Sequence, residues 1–315
     1  MIEQRASLPA AQSWVLDESG RRLQGHDHDR RLSELRAGLA RHGSVGCDGA
    51  AASREQVDRA LAALHEPALV RALTEARSAE PVLMADLAAP GMAPDTPVSA
   101  GVAAAAFEGV RTAISAAQRV AAGARYAYAL CRPPGHHAGP GWLGGSCYLN
   151  NAAAAAYTLR EAGVTPVGIL DLDIHYPNGT AAIAAHMSDT SLHSLHASPV
   201  VNSPTGSAEP QSTRERHVAF AEAPTEARYL EEVSVALRMI AETSSVLVLS
   251  LGYDTVAGDP HGCWGFSPRV FAEIGRQLAG CGLPVCVVQE GGYALDSLAE
   301  CSFAFADGLL ESEAG

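Results

Sequence analysis

The chain reads as an α/β protein with one central, mostly parallel sheet flanked by helices. Short apolar runs of strand length recur along it, and helical patterns fall between them. The runs are continuously apolar rather than alternating, as strands covered on both faces must be. Polar and ionisable residues gather where the runs end, and sites in such sheets form beyond the carboxyl ends of the strands.

The elements follow in order. Residues 29–41 and 54–77 have helical patterning, and 86–99, rich in Pro, Ser, Gly and Thr, reads as a surface loop. The alanine-rich stretch 100–122 is a helix suited to close packing on a sheet. A buried strand follows at 126–131 (YAYALC), then a second alanine-rich helix at 151–162. Strands at 167–172 (VGILDL) and 191–196 (SLHSLH) precede a second polar loop, 197–216. Residues 226–242 place Tyr229, Leu230, Val233, Leu237 and Ile240 on one helical stripe with charges opposite. The run 245–252 (SVLVLSLG) is a further strand. Ser267-Pro268 reads as an N-cap and first-turn proline of a helix that Gly280 closes. The last strand is 284–289 (PVCVVQ).

Composition narrows the class. With 315 residues and 47% hydrophobic content, residues 1–315 are expected to form one domain with a sizeable core. A net charge of −13 argues against a nucleic-acid partner, which would need a basic face. No apolar run reaches the roughly 18 residues of a membrane span. The N-terminus shows no basic segment followed by an apolar one. Seven cysteines without a C-x-x-C pair read as reduced thiols. The expectation is a cytoplasmic protein without membrane partners; a homodimer is compatible with it.

The chemistry concentrates at strand ends. In Ile-Leu-Asp-Leu-Asp-Ile-His (169–175), Asp171, Asp173 and His175 alternate, which on a strand puts all three on one face. Burying unpaired carboxylates there is costly, so a cation is expected, and carboxylate oxygens with a neutral imidazole suit zinc. Another strand runs into RPPGHHAGPG (132–141), presenting His136 and His137. A third ends at Gly252-Tyr253-Asp254, and a fourth at Glu290-Gly291-Gly292-Tyr293. Together they compose a hydrolytic site. Asp173, His175 and Asp254 would be three ligands that leave positions open for water and a carbonyl. One histidine would take a proton from water and one would return a proton to a leaving amine, while Tyr293 would donate to the developing oxyanion. Asp171 would orient His136, and Asn178 would orient His137.

Plainer readings apply to each motif alone: a turn for His136-His137, a packed tyrosine for Tyr293, a cap for Asp254. The convergence of four strand ends on one crevice favours the site. His193 and His196 read as packing, the run His26-Asp27-His28-Asp29 as a helix start capped by Asp29, and Cys147 as an inert buried thiol.

The segments CRPPGHHA (131–138), GGSCYLNNAAAAA (144–156), LDLDIHYPNGT (170–180), LSLGYDTVAGDP (249–260) and EGGYAL (290–295) resemble the histone deacetylase family. The likeness is nearest to its class II branch and the bacterial acetylpolyamine amidohydrolases, in order and spacing over residues 26–310. It implies a single-domain arginase/deacetylase-like fold. By the resemblance, Asp173, His175 and Asp254 hold a catalytic zinc, His136 and His137 are the histidine pair, Asp171 buttresses the first, and Tyr293 is the carbonyl-polarising phenol. It further implies a channel contact at Gly145, a structural potassium near Asp171, Asp173, His175, Ser194 and Leu195, and an arginine, Arg31, near an internal channel.

Departures from the family pattern bear on substrate. Ser146 stands where an aromatic usually follows the GG pair, and 197–206 supplies no second channel aromatic. Trp142 and Trp264 are alternative walls or packing residues. His261 stands where polyamine-selective relatives can carry a glutamate, and Tyr176-Pro177 replaces the usual pair below the metal. The expected function is a zinc-dependent removal of an acetyl or other acyl group from a small-molecule amine, an acetylpolyamine or a specialised metabolite. The expected substrate-binding residues are Gly145, Ser146, Trp142 and His261. The alternatives are a protein acetyl-lysine deacetylase, a non-catalytic acyl-amine binder and an arginase-like ureohydrolase.

Overall fold

The strongest apolar runs become the centre of an eight-stranded sheet. The computed structural model describes residues 1–4, 14–16, 22–27, 29–90, 94–198 and 214–311. Its strands are β1 (Ile2–Glu3), β2 (Trp14–Leu16), β3 (Arg22–Gln24), β4 (Asp48–Gly49), β5 (Val82–Leu83), β6 (Pro97–Val98), β7 (Tyr126–Leu130), β8 (Val167–Asp171), β9 (Thr190–Ala197), β10 (Glu215–Phe220), β11 (Val246–Leu251) and β12 (Val285–Gln289). Its α-helices are α1 (Arg30–Arg41), α2 (Arg54–Leu64), α3 (Pro67–Thr74), α4 (Ala100–Ala121), α5 (Asn151–Glu161), α6 (Asn178–Ala184), α7 (Glu226–Thr243), α8 (Arg269–Gly280) and α9 (Leu295–Leu310). The main sheet runs β10-β9-β8-β11-β12-β7-β1-β4, and every neighbouring pair is parallel. Strands β2–β3 and β5–β6 form two small antiparallel ribbons.

All residues of β8, β11 and β12 are buried. Helices α2 to α6 cover one face and α1, α7, α8 and α9 the other, giving two apolar layers. The alanines of α4 and α5 account for the tight first layer: Ala113, Ala116, Ala117 and Ala152 to Ala156 are nearly inaccessible, and their small side chains let the two helices approach closely.

The connectivity places the site. From β8 the chain moves outward to β9 and β10, then α7 brings it back to β11, from which it proceeds the other way to β12. The strand order therefore reverses between β8 and β11, the topological switch point at which α/β sheets open a crevice.

Several local expectations are corrected. The span 54–77 is two helices, because Pro67 starts α3 after α2 ends at His65. The loop expected at 197–216 gives way to β10 at Glu215; its sequence, ERHVAF, is too polar to read as a buried strand because it lies at the sheet edge. Residues 199–213 lie outside the described residues. Ser267 does not cap α8: its N–H donates to Glu226 Oε1 at 2.7 Å, and the cap position is Pro268. Gly280 is the last helical residue, and the left-handed turn falls at Gly282. Asp29 occupies the cap position of α1, yet its carboxylate takes a hydrogen bond from Arg132 instead. His28 lies outside the described residues. The loop at 86–99 is partly internal, with Thr96 and β6 buried. All seven cysteines are free thiols. Among the described residues, no helix is long and apolar enough to cross a membrane.

Candidate metal centre and active site

Strand β8 stops at Asp171, so Asp173 and His175 lie beyond the pleat that was expected to align them. Local hydrogen bonds align them instead. Asp171 Oδ1 accepts from the Asp173 N–H at 3.1 Å, and Asp173 Oδ1 accepts from the His175 N–H at 3.0 Å. Between them Leu172 and Ile174 are buried in the second apolar layer.

Asp254, just past β11, completes the group. Its Oδ1 accepts from the Ile174 N–H at 3.1 Å, tying the β8 and β11 loops together. One donor atom from each of Asp173, His175 and Asp254 lies within 4.8 Å of the others. His175 Nδ1 is 2.9 Å from Asp173 Oδ1 and 3.3 Å from Asp254 Oδ2. Asp254 Oδ2 is buried without a hydrogen-bond donor. Burial beside Asp173 pushes the Asp254 carboxyl up to about 7; burial disfavours charge on His175, but both carboxylates outweigh that and raise it to about 10. Two buried carboxylate oxygens and an imidazole nitrogen, one oxygen unsatisfied, are a donor set that fits a divalent transition metal. Gly291 is needed for this closeness: a Cβ there would sit 2.4 Å from Asp254 Oδ2, and its N–H donates to Asp173 Oδ2 at 2.9 Å.

The histidine pair stands beside this cluster. The rings of His136 and His137 are 4.1 Å apart, and that of His137 is 5.7 Å from His175. Asp171 Oδ2 lies 3.3 Å from His136 Nδ1, and Asn178 Oδ1, at the start of α6, lies 2.7 Å from His137 Nδ1. The amide oxygen only accepts, so His137 carries its proton on Nδ1 and keeps a lone pair on Nε2. Burial, then the neighbouring imidazoles, hold His137 well below the usual histidine range. For His136 burial acts the same way, but Asp173 and Asp171 prevail and raise it to about 10.

Tyr293 is half-buried, and Arg31 lies over its ring at 4.3 Å. Burial raises its phenol well above the ordinary value despite that guanidinium. Arg31 donates to the carbonyls of Gly292 and Glu290, each at 2.6 Å, and pairs with Asp27, so it fastens the loop that carries Tyr293. Asp259 holds the same loop from the other side, accepting from the N–H groups of Tyr293 and Ala294.

Of the expected substrate contacts, Gly145 lies hard against His137: a Cβ would fall 2.4 Å from His137 Cδ2, and its φ is +55°. Ser146 follows with φ +63° and borders a small internal pocket of about 10 Å³ with Asp27, Arg132 and Tyr148. Trp142 donates its indole N–H to the His137 carbonyl at 3.1 Å, and Trp264 is buried among Phe220, Tyr229 and Phe266. His261 has its ring 4.7 Å from that of Tyr293 and its Nε2 2.8 Å from His26 Nδ1. Asp171 and Ser194 are register partners on β8 and β9, with Leu195 beside them, all buried. Tyr176 packs between His196 and His217.

Three further contributors are given no role by the motifs. Glu290 is fully buried; its Oε2 accepts from the N–H groups of Gly135 at 2.6 Å and His136 at 3.2 Å, welding the Tyr293 loop to the histidine turn. Asp95 and Thr96 accept from the N–H groups of Gly145 and Ser146. The buried carboxyl of Glu290, directly after an apolar strand, was the available signal; Asp95 and Thr96 gave none.

Fold and site together define a class: a parallel α/β protein with a two-carboxylate, one-imidazole cluster that could hold a metal ion, flanked by paired histidines at the switch point. Within that class the chain belongs to the histone deacetylase domain family, whose model matches residues 26–309. It is 35% identical over 215 residues to the acetylpolyamine amidohydrolase of Mycoplana ramosa, covering 65% of this chain and 63% of that protein. It is 34% identical over 229 residues to acetylpolyamine amidohydrolase 1 of Pseudomonas aeruginosa, covering 69% and 65%. The chain thus spans a little under two thirds of the length of these relatives. Among solved structures it is similar to an acetylpolyamine aminohydrolase from Burkholderia pseudomallei, with TM-score 0.85, 28% identity and 98% of each chain covered. The HDA15 HD domain matches with TM-score 0.78 and 26% identity over 95% of this chain and 86% of that one.

Proposed function

We propose that this chain is a zinc-dependent amidohydrolase that removes an acetyl or other short acyl group from an amine on a small molecule, an acetylated polyamine or a related metabolite. The observation that carries the reading is the placement of a neutral, lone-pair-bearing His137 beside the cluster of Asp173, His175 and Asp254. The names of the acetylpolyamine relatives support the substrate class. We place the reaction in the cytoplasm, where free cysteines stay reduced, and treat the chain as one catalytic domain.

Asp173, His175 and Asp254 would hold the zinc. When bound, it would polarise the acyl carbonyl and lower the pKa of water to about 7. His137 takes the water proton at Nε2, with Asn178 holding the opposite nitrogen. The phenol of Tyr293, kept protonated by burial, donates to the developing oxyanion. As the C–N bond breaks, the amine receives a proton from His136, which Asp171 keeps charged and oriented; exchange with solvent resets the pair. Asp171, Ser194 and Leu195 suit a structural potassium next to this strand end. Gly145, Ser146, Trp142 and His261 form the rim. Burial, then the adjacent His26, lowers His261 to about 4, so the rim presents an uncharged imidazole where a carboxylate would attract a distal cation.

The test is a panel of acetylated polyamines, other N-acyl amines and acetyl-lysine peptides, ranked by kcat/KM with and without a zinc chelator. Chelator-sensitive hydrolysis favouring the small amines is expected, and Tyr293→Phe should cost about 10²-fold or more in kcat while retaining zinc. Preference for peptides would make it a protein deacetylase; binding without hydrolysis would make it an acyl-amine binder.

A further inference from the structure

We propose that His196 and His217 form a second metal site, distinct from the cluster at the switch point, that takes a divalent first-row transition ion such as zinc. The two residues lie on adjacent strands: His217 of β10 is the register partner of Ser194, two residues before His196 on β9, so both imidazoles stand on the same side of the sheet. Both side chains are fully buried. Each has one ring nitrogen anchored and the other left without a partner. His217 Nε2 is held by the Glu215 carboxylate at 3.0 Å, and its Nδ1 is buried and unpaired. His196 Nδ1 is held by the Ser194 hydroxyl at 2.8 Å, and its Nε2 is buried and unpaired.

A carboxylate on one imidazole nitrogen fixes the tautomer, so the Nδ1 of His217 carries a lone pair; this is how proteins prepare a metal-ligating histidine. The Ser194 hydroxyl can accept as well as donate, so His196 is free to take the tautomer with its lone pair on Nε2, and two unsatisfied nitrogens in one buried place call for an occupant. The ring centroids are 6.2 Å apart. Two imidazoles on one tetrahedral ion would have centroids roughly 5 Å apart, so a closing movement of about 1 Å suffices. Tyr176 closes a third side, 5.0 Å from the ring of His196 and 5.1 Å from that of His217. Imidazole pairs suit zinc, copper and nickel, with water filling the remaining positions. Such an ion would tie the edge strand β10 to β9 and to the segment that follows His175.

The test is anomalous scattering at the zinc edge from crystals of the zinc-loaded full chain, together with zinc content. Two peaks per chain are expected, one among Asp173, His175 and Asp254 and one between His196 Nε2 and His217 Nδ1. Zinc content should fall by one per chain in His217→Leu with hydrolysis retained, whereas Asp254→Asn should lose the other ion and keep this one. A water-like feature without anomalous signal between the two histidines would overturn the proposal, as would unchanged zinc content in His217→Leu. Should that variant fail to fold, the wild-type map decides alone.

Discussion

At the scale of single residues, the site depends on approach distances that tolerate no added atom. Gly145 is the sharpest case, because its backbone is left-handed and faces the His137 ring. Gly145→Ala would meet Cδ2 of His137 at 2.4 Å and would also carry the steric penalty of an L-residue at φ +55°, roughly 1–2 kcal/mol. His137 is pinned from the other side by Asn178, so the ring must tilt and lose that bond. The expected outcome is a fall in kcat of about 10²-fold with zinc content intact, since a misplacement of 1 Å costs about that much. A variant with wild-type kcat would show that the ring yields freely. Such residues were only partly legible in advance. Asp173, His175, Asp254, His136 and His137 announced themselves, because ionisable groups at the ends of apolar runs need a chemical reason to be there. Asp95 did not: it reaches Gly145 across 50 residues of chain, and no local pattern encodes that contact.

At the scale of elements, the site is held by the ends of helices and strands, and His65 shows how. It caps the end of α2, accepting at Nε2 from the Asn150 N–H at 3.1 Å while its Nδ1–H donates to the Gly139 carbonyl at 2.8 Å. Asn150 in turn caps α5 and donates to Ala138 and Thr180, so α2, α5 and the histidine turn share one network. Protonation would set two donors face to face. Burial accordingly lowers His65 from 6.5 to about 4. A base whose folded pKa is depressed binds fewer protons folded than unfolded, so its stabilisation is whole above pH 6.5 and fades as pH falls towards 4. The full loss would be roughly 3 kcal/mol. In urea unfolding, the stability advantage of wild type over the non-titrating His65→Gln should shrink across that window; a constant difference would refute the assignment. The elements themselves were legible where burial is two-sided, as in β8, β11 and β12. They were illegible at the edges: β10 is polar, and β1 and β4 have two residues each, too short to leave a pattern.

At the scale of the whole molecule, the sheet order explains why one cation should stabilise the entire fold. The chain diverges in opposite directions from β8 and β11, and the loops after these two strands carry all three candidate ligands. An ion there would join the two halves at the place where backbone connectivity does not, and would offset both the burial and the Asp173 charge that raise Asp254. Because the unfolded chain offers no preformed site, binding free energy adds to folding free energy, about 2.7 kcal/mol at a free ion concentration 100 times Kd. Zinc added to chelator-treated protein should therefore raise the unfolding temperature. Asp254→Asn should abolish most of that rise, since it replaces the carboxylate of the cluster whose Oδ2 is left without a donor. A rise that persists in full in this variant would move the dominant site elsewhere, and His217→Leu would then show whether the histidines of β9 and β10 supply it. If the two substitutions each remove part of the rise and together remove all of it, the switch point and the sheet edge are separate metal clasps on one sheet.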